Sequence, residues 1–313
     1  MSIPSLRGLG NWIVGTLVGT LVIAVTSPLF VRSYLPLRID PVRGVWTLPP
    51  QHTYRWRSEG YADTCIGPLG MPGRPTLPPN DSRLLRVALW GDSQAEGVGV
   101  PDDSKLHAQI ERACGGTCSV FPLARSGEDA AVWLTQMPAV ERELGVDAHL
   151  ILVVDLPDLL SAPRAPLPPA AADRARASIA ASLPAFVIQA ARNLLTESDQ
   201  QTPRTLRFSP GPVAPSGGGS SGGGSSSGES GPEHGESPRA GAADERWREA
   251  VDAIRAATTL PVVIAYAPHC PQIVAGMAQM ADPDGNEFRD LRAAATARGL
   301  FVIDISEPFR DSV

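Results

Sequence analysis

The residues best suited to covalent chemistry lie in ALWGDSQAEGVGV, Ala88 to Val100. An apolar run stops at Gly91-Asp92-Ser93 and gives way to a small-residue loop with Gly97 and Gly99. A serine just past the carboxyl end of a buried strand exposes its hydroxyl, with helix N-terminal amides close by to support a developing oxyanion. Such a hydroxyl attacks an acyl carbonyl once a base takes its proton. The same tripeptide also serves simply as a strand-ending turn, in which Asp92 bonds the backbone amides.

Five histidines are available as the base. His269 follows the apolar run PVVIAYAP and would emerge at the same strand edge as Ser93, so it is the candidate. His149 opens a strand at the opposite edge, and His107 sits on a helix facing away. His52 lies in an N-terminal arm, and His234 in a Gly/Ser-rich stretch. The four cysteines give no zinc pattern, because Cys114-x-x-x-Cys118 lacks a second close pair. A disulfide or buried thiols are the readings left for them.

Elements to position these residues are legible from hydrophobic pattern. LLRVALW (84–90), CSVFPLA, AHLILVVDL, PVVIAYA and LFVIDI are short runs with little alternation, as expected of strands buried on both faces. Between them, DDSKLHAQIERAC, EDAAVWLTQMPAVEREL (with Pro138 as a kink), AADRARASIAASLPAFVIQAARNLL (broken at Pro184) and NEFRDLRAAATARG read as helices. Strand and helix alternate about five times, which predicts a mostly parallel five-stranded sheet in a three-layer α/β/α domain.

Before this domain, residues 12–31 form an uncharged apolar run beyond a short tail of residues 1–11. That is about the ~20 residues a membrane-crossing helix needs. A secretory signal peptide competes, although its apolar core is usually shorter. Gly15-x-x-x-Gly19 would let two such helices pack closely, a route to weak self-association. Residues 32–80 read as a Pro/Gly-rich arm in which Trp46, Tyr54 and Trp56 dock on the domain or anchor at a membrane interface. Residues 81–313 hold the α/β domain. Within it, about 208–243 are Gly/Ser-rich with nothing to bury, a disordered surface insertion. Net charge is −6 with no long basic run, which argues against a nucleic-acid partner. No phosphate loop, dinucleotide loop or metal cluster is evident, so neither cofactor nor metal is expected.

LRVALWGDSQAEGVGV closely resembles the first signature block of the SGNH (GDSL-type) hydrolases, and the later elements follow that family's order. The family comprises α/β/α esterases, lipases and carbohydrate acetyl-esterases. The resemblance implies that Ser93 is the nucleophile and its N–H one oxyanion donor, with Gly127 of ARSG as the next. It then breaks. Where the family carries Gly-x-Asn-Asp after the third strand, Asp155, Pro157 and Asp158 stand at the Gly, Asn and Asp positions. Proline offers no donor, and losing one oxyanion donor typically costs ~3 kcal/mol of transition-state stabilisation. Asp311 matches the neighbourhood of the family's Asp-x-x-His, but the histidine would fall beyond Val313. Either the sequence stops short of the base or the base is absent.

The sequence therefore predicts a membrane-anchored serine hydrolase of acyl or acetyl esters on a small molecule, glycan or lipid. The alternative is a catalytically impaired relative that binds a glycan or acyl chain as a membrane-tethered scaffold. Arg32, Arg38 and Arg43 outnumber Arg7 across the apolar run, so the positive-inside bias keeps the body cytoplasmic. The family resemblance instead implies a periplasmic or extracellular domain.

Overall fold

A computed structural model describes residues 6–57, 61–78, 83–160, 183–188, 190, 240–267, 272–274, 277–279 and 285–305. Helix α1 spans Leu6–Thr26 and passes through a 3-10 turn at Ser27–Leu29. Its segment Gly10–Leu29 is long and apolar enough to cross a bilayer, and no part of it is buried against the rest of the chain.

Five strands then build one sheet: β5 (Leu85–Trp90), β6 (Cys118–Pro122), β7 (Ala148–Val153), β8 (Val262–Tyr266) and, last in the chain, β11 (Phe301–Asp304). Their order is β11-β8-β7-β5-β6 and every pairing is parallel. In β5, β6, β7 and β8 the lack of alternation is explained by cover on both faces, whereas the edge strand β11 leaves Phe301 and Ile303 exposed. Leu89 and Val120 pack under Leu106 and Ile110 of α3 (Leu106–Ala113). Ala88, Trp90, Phe121, Ile151 and Ile264 point the other way, into a core with Trp133 of α4 (Ala130–Leu144), Trp247 of α5 (Ala240–Ala257) and Phe288 of α6 (Gly285–Ala297). A one-turn helix, α2 (Ser93–Glu96), completes the helical elements named here, and a small antiparallel pair, β9 (Gln272–Val274) and β10 (Met277–Gln279), lies apart from the main sheet. The fold is thus an α/β domain with a five-stranded all-parallel sheet flanked by helices.

Helix α4 runs through Pro138 without ending. Of the other predicted segments, most of 171–195 and residues 208–239 lie outside the described residues. The described end of the Gly/Ser-rich stretch, 240–243, already belongs to α5.

The arm carries more structure than its composition suggests. It forms two antiparallel pairs, β1 (Arg38–Ile39) with β2 (Trp46–Thr47) and β3 (His52–Trp56) with β4 (Ala62–Ile66). Asp40 accepts from the backbone N–H groups of Val42 and Arg43, and this turn drives Arg43 into the domain. There the Arg43 guanidinium donates to Gln136 at 2.7 Å and to the carbonyls of Leu69 at 3.0 Å and Leu123 at 2.7 Å, and lies 3.6 Å from Glu128. Val45, Leu69 and Met71 are buried as well. Cys114 and Cys118 are bridged, closing the short link from α3 to β6.

Candidate active site

Parallel strands deliver all their carboxyl ends to one edge. Strands β5 and β6 are neighbours, and the chain then crosses to the other side of β5 to make β7, so connections diverge between β5 and β7. Ligands of open α/β sheets bind in the crevice at such a switch point. Ser93 leaves β5, Gly127 leaves β6, and Asp155 and Asp158 leave β7, so three adjacent strands bring these residues to one edge.

Ser93 is the first residue of α2 and is exposed. Among the described residues no side chain hydrogen-bonds its hydroxyl. Asp92 is the N-cap: its carboxylate accepts from the Gln94 N–H at 2.8 Å, which fixes the turn that presents the serine. Gly91 sits at φ 151°, and a Cβ there would lie 2.8 Å from the Leu152 carbonyl oxygen and 2.6 Å from the Ala95 Cβ. Only glycine lets β5 and β7 approach this closely beneath the serine. The loop after α2 is tied down from below by the buried Lys105, whose ammonium donates to the carbonyls of Gly97 at 2.5 Å and Val100 at 2.9 Å.

Gly127 adopts φ 77°, is exposed, and has open space where a side chain would be. Glycine is the residue that takes this left-handed conformation without steric cost. Its two neighbours, by contrast, are held. Ser126 donates from both its N–H, at 2.7 Å, and its hydroxyl, at 2.5 Å, to the carboxylate of Glu96 on α2. On the other side, Glu128 is buried beside Arg43. Burial pushes the Glu128 carboxyl above its ordinary range, and the Arg43 charge pulls against that.

Asp158 lies in a 3-10 turn, Leu156–Leu160, with Pro157 exposed before it. Asp92, Asp155 and Asp158 each bring a carboxylate oxygen within 4.8 Å of the others. Three carboxylates so placed could take a hard cation through oxygen. Partial burial, and then the charges of Asp92, Asp155 and Asp129, raise the Asp158 carboxyl to about 6. Because the folded acid holds its proton more tightly than the unfolded one, this group's stabilising contribution is present at low pH and is lost as pH rises toward 6. Asp158→Asn is therefore expected to melt at a higher temperature than the wild type at pH 7.5, with the difference vanishing below about pH 4. Melting curves at both pH values check this.

The histidines separate by environment. His149 is fully buried, accepting from the Trp90 indole N–H at 3.0 Å and lying 3.0 Å from Glu141, and burial lowers its pKa. His107 is buried on α3, and desolvation followed by the charge of Arg74 lowers it to about 4. Both are satisfied core groups. His52 is exposed in β3 with its ring against the Pro50 carbonyl. His234, His269 and Asp311 lie outside the described residues.

Sequence reasoning missed Glu96, Arg43 and Glu128, and it treated Asp155 as a departure from a pattern rather than as a neighbour of Asp92. A glutamate inside an otherwise small-residue stretch that turns back toward the sheet was the available signal for Glu96.

Among solved structures, the chain is similar to AlinE4, an SGNH-hydrolase family esterase, at 11% identity and a TM-score of 0.32 over 72% of this chain and 77% of that one. It is similar to TesA at 12% identity and a TM-score of 0.31, over 69% of this chain and 76% of that one. A third similar structure is LAE5, an alpha/beta hydrolase enzyme from the metagenome of Lake Arreo, Spain, at 10% identity and a TM-score of 0.34 over 72% and 79%. No protein family profile and no curated protein matches the chain.

Proposed function

We propose that this chain is a membrane-anchored serine hydrolase acting on acyl or acetyl esters. The observation that carries the reading is the exposed Ser93 hydroxyl at the β5–β7 crevice, with the unobstructed Gly127 loop leaving the adjacent strand β6. In this reaction Ser93 Oγ attacks the ester carbonyl carbon while a base takes its proton. The carbonyl oxygen gathers negative charge against the Ser93 and Gly127 N–H groups. Collapse expels the alcohol, which regains the proton, and water then releases the acid from Ser93 by the same steps. His269, which follows β8 in the sequence, is the base this sequence offers.

The anchor is α1. Arg43, counted from sequence as a charge flanking that helix, is consumed inside the domain, which removes one positive charge from the argument for a cytoplasmic body. The Cys114–Cys118 bridge supports a domain in an oxidising compartment, periplasmic or extracellular.

One observation favours the non-catalytic alternative: Pro157 occupies the turn where a side-chain donor to the oxyanion would stand. A fluorophosphonate probe decides between them. The full chain in detergent micelles is expected to be labelled at Ser93, located by mass spectrometry of the modified peptide. A chain left unlabelled after prolonged exposure would instead speak for a binding protein.

A further inference from the structure

We propose that Glu96 is a positioning residue for the Ser93 reaction, holding the Gly127 amide in register with the serine. This rests on Ser93 and Gly127 acting as assigned above.

Glu96 lies three residues beyond Ser93 on α2, and its own N–H donates to the Asp92 carbonyl at 3.0 Å. Its side chain is therefore rigidly referred to the serine turn. The residue is 7% exposed, yet the carboxylate has no lack of partners: one oxygen accepts both the N–H and the hydroxyl of Ser126. Charge-assisted bonds of this kind are roughly twice as strong as neutral ones. The peptide that follows Ser126 carries the Gly127 N–H. A glycine at φ 77° has no side chain to fix that amide, and the Glu128 N–H bonded to the Arg125 carbonyl at 3.1 Å closes the turn around it. The constraint must come from its neighbours. Arg125 N–H donates to the Gly91 carbonyl at 3.1 Å, Glu96 grips Ser126, and the Arg43–Glu128 pair grips the far side. Of these, the Arg125 bond joins the loop to the turn before Ser93, and Glu96 joins it through a side chain to the helix that begins with the serine. Arg43 and Lys105 are near enough for their charges and that of Glu96 to act on one another.

An oxyanion donor works only when it is already placed where charge develops, and a 1 Å misplacement costs on the order of 100-fold in rate. Glu96→Ala, in the full chain in micelles, should lower kcat for 4-nitrophenyl acetate on the order of 100-fold, with KM changed by less than about threefold. Glu96→Gln keeps one oxygen able to accept both Ser126 bonds, so it should recover most of the rate. Amide hydrogen exchange at Ser126 and Gly127 should speed up in Glu96→Ala and return toward wild type in Glu96→Gln. A merely structural glutamate would not produce this kcat-selective loss and recovery. Should Glu96→Ala fail to fold, Ser126→Ala, which removes one of the two bonds, should give a smaller loss in kcat.

Unchanged exchange at Ser126 and Gly127 in Glu96→Ala overturns the proposal whether or not the protein hydrolyses esters. Faster exchange with unchanged kcat also overturns it. A wild type that neither hydrolyses the ester nor takes the fluorophosphonate sinks the catalytic reading, and the positioning role with it, whereas an active wild type with a silent Glu96 sinks the positioning role alone.

Discussion

Ser93→Ala is expected to lower turnover of 4-nitrophenyl acetate on the order of 10⁴-fold while leaving the melting temperature almost unchanged. In serine hydrolases with a complete site, loss of the nucleophile costs about 10⁶ in kcat. The difference comes from Pro157. On the proposed reading, with no side-chain donor at that position, the site lacks about 100-fold of the stabilisation a third donor would supply. There is correspondingly less to lose. The folding control is built in, since the hydroxyl is exposed and bonds no described side chain, and Asp92 still caps α2. Surface substitutions of this kind stay within about 0.5 kcal/mol. Initial-rate kinetics beside a thermal melt test both halves. If the variant keeps the wild-type rate, the hydrolysis belongs to another group and the assignment of Ser93 fails.

The strands were legible because their signal is redundant. In β5, β7 and β8 nearly every position is apolar, since cover on both faces leaves few positions free to be polar, and the parallel sheet followed from that. Ser93 was legible for the same reason: an apolar run that ends in Gly-Asp-Ser marks a strand's carboxyl end. The arm was not. The two-residue β1 and β2 are too short to show a pattern, β3 and β4 carry polar residues in place of a continuous apolar run, and Arg43, read as a charge beside a membrane, is one of the most deeply enclosed side chains in the domain. Burial of a cation depends on partners brought from Leu69, Leu123, Glu128 and Gln136, far away in sequence, which no local pattern encodes. The grip of Glu96 on Ser126 spans 30 residues and escapes for the same reason. What the sequence conveys well is the layering of the fold. Polar contacts between loops, on which the chemistry depends, become visible only when the strands place those loops side by side.

Arg43→Met is expected to be the most damaging single change to stability outside the apolar core. Methionine fills much of the volume but returns none of the bonds. The Leu69 and Leu123 carbonyls and the Gln136 side-chain oxygen each lose a donor, in a place where the arginine side chain is only 1% exposed. Glu128 is left as a buried carboxylate without its counter-charge. Breaking a buried pair from one side typically costs about 3–5 kcal/mol, which for a domain of this size corresponds to about 6–20 °C in melting temperature. The loss should depend on pH, and its sign is fixed. The folded Glu128 carboxyl already titrates above its unfolded value because of burial, and removing Arg43 raises it further. Folded protein then holds a proton that the unfolded chain has released, so stability falls as pH rises above the unfolded value. The variant should lie closer to wild type at pH 5 than at pH 8. Glu128→Gln in the same background removes the stranded charge and should restore part of the loss, mostly at pH 8. A double-mutant cycle at the two pH values measures that coupling. A cost independent of pH would mean that the arginine acts through its bonds to the carbonyls alone, and that the arm is held to the domain by hydrogen bonding rather than by its charge.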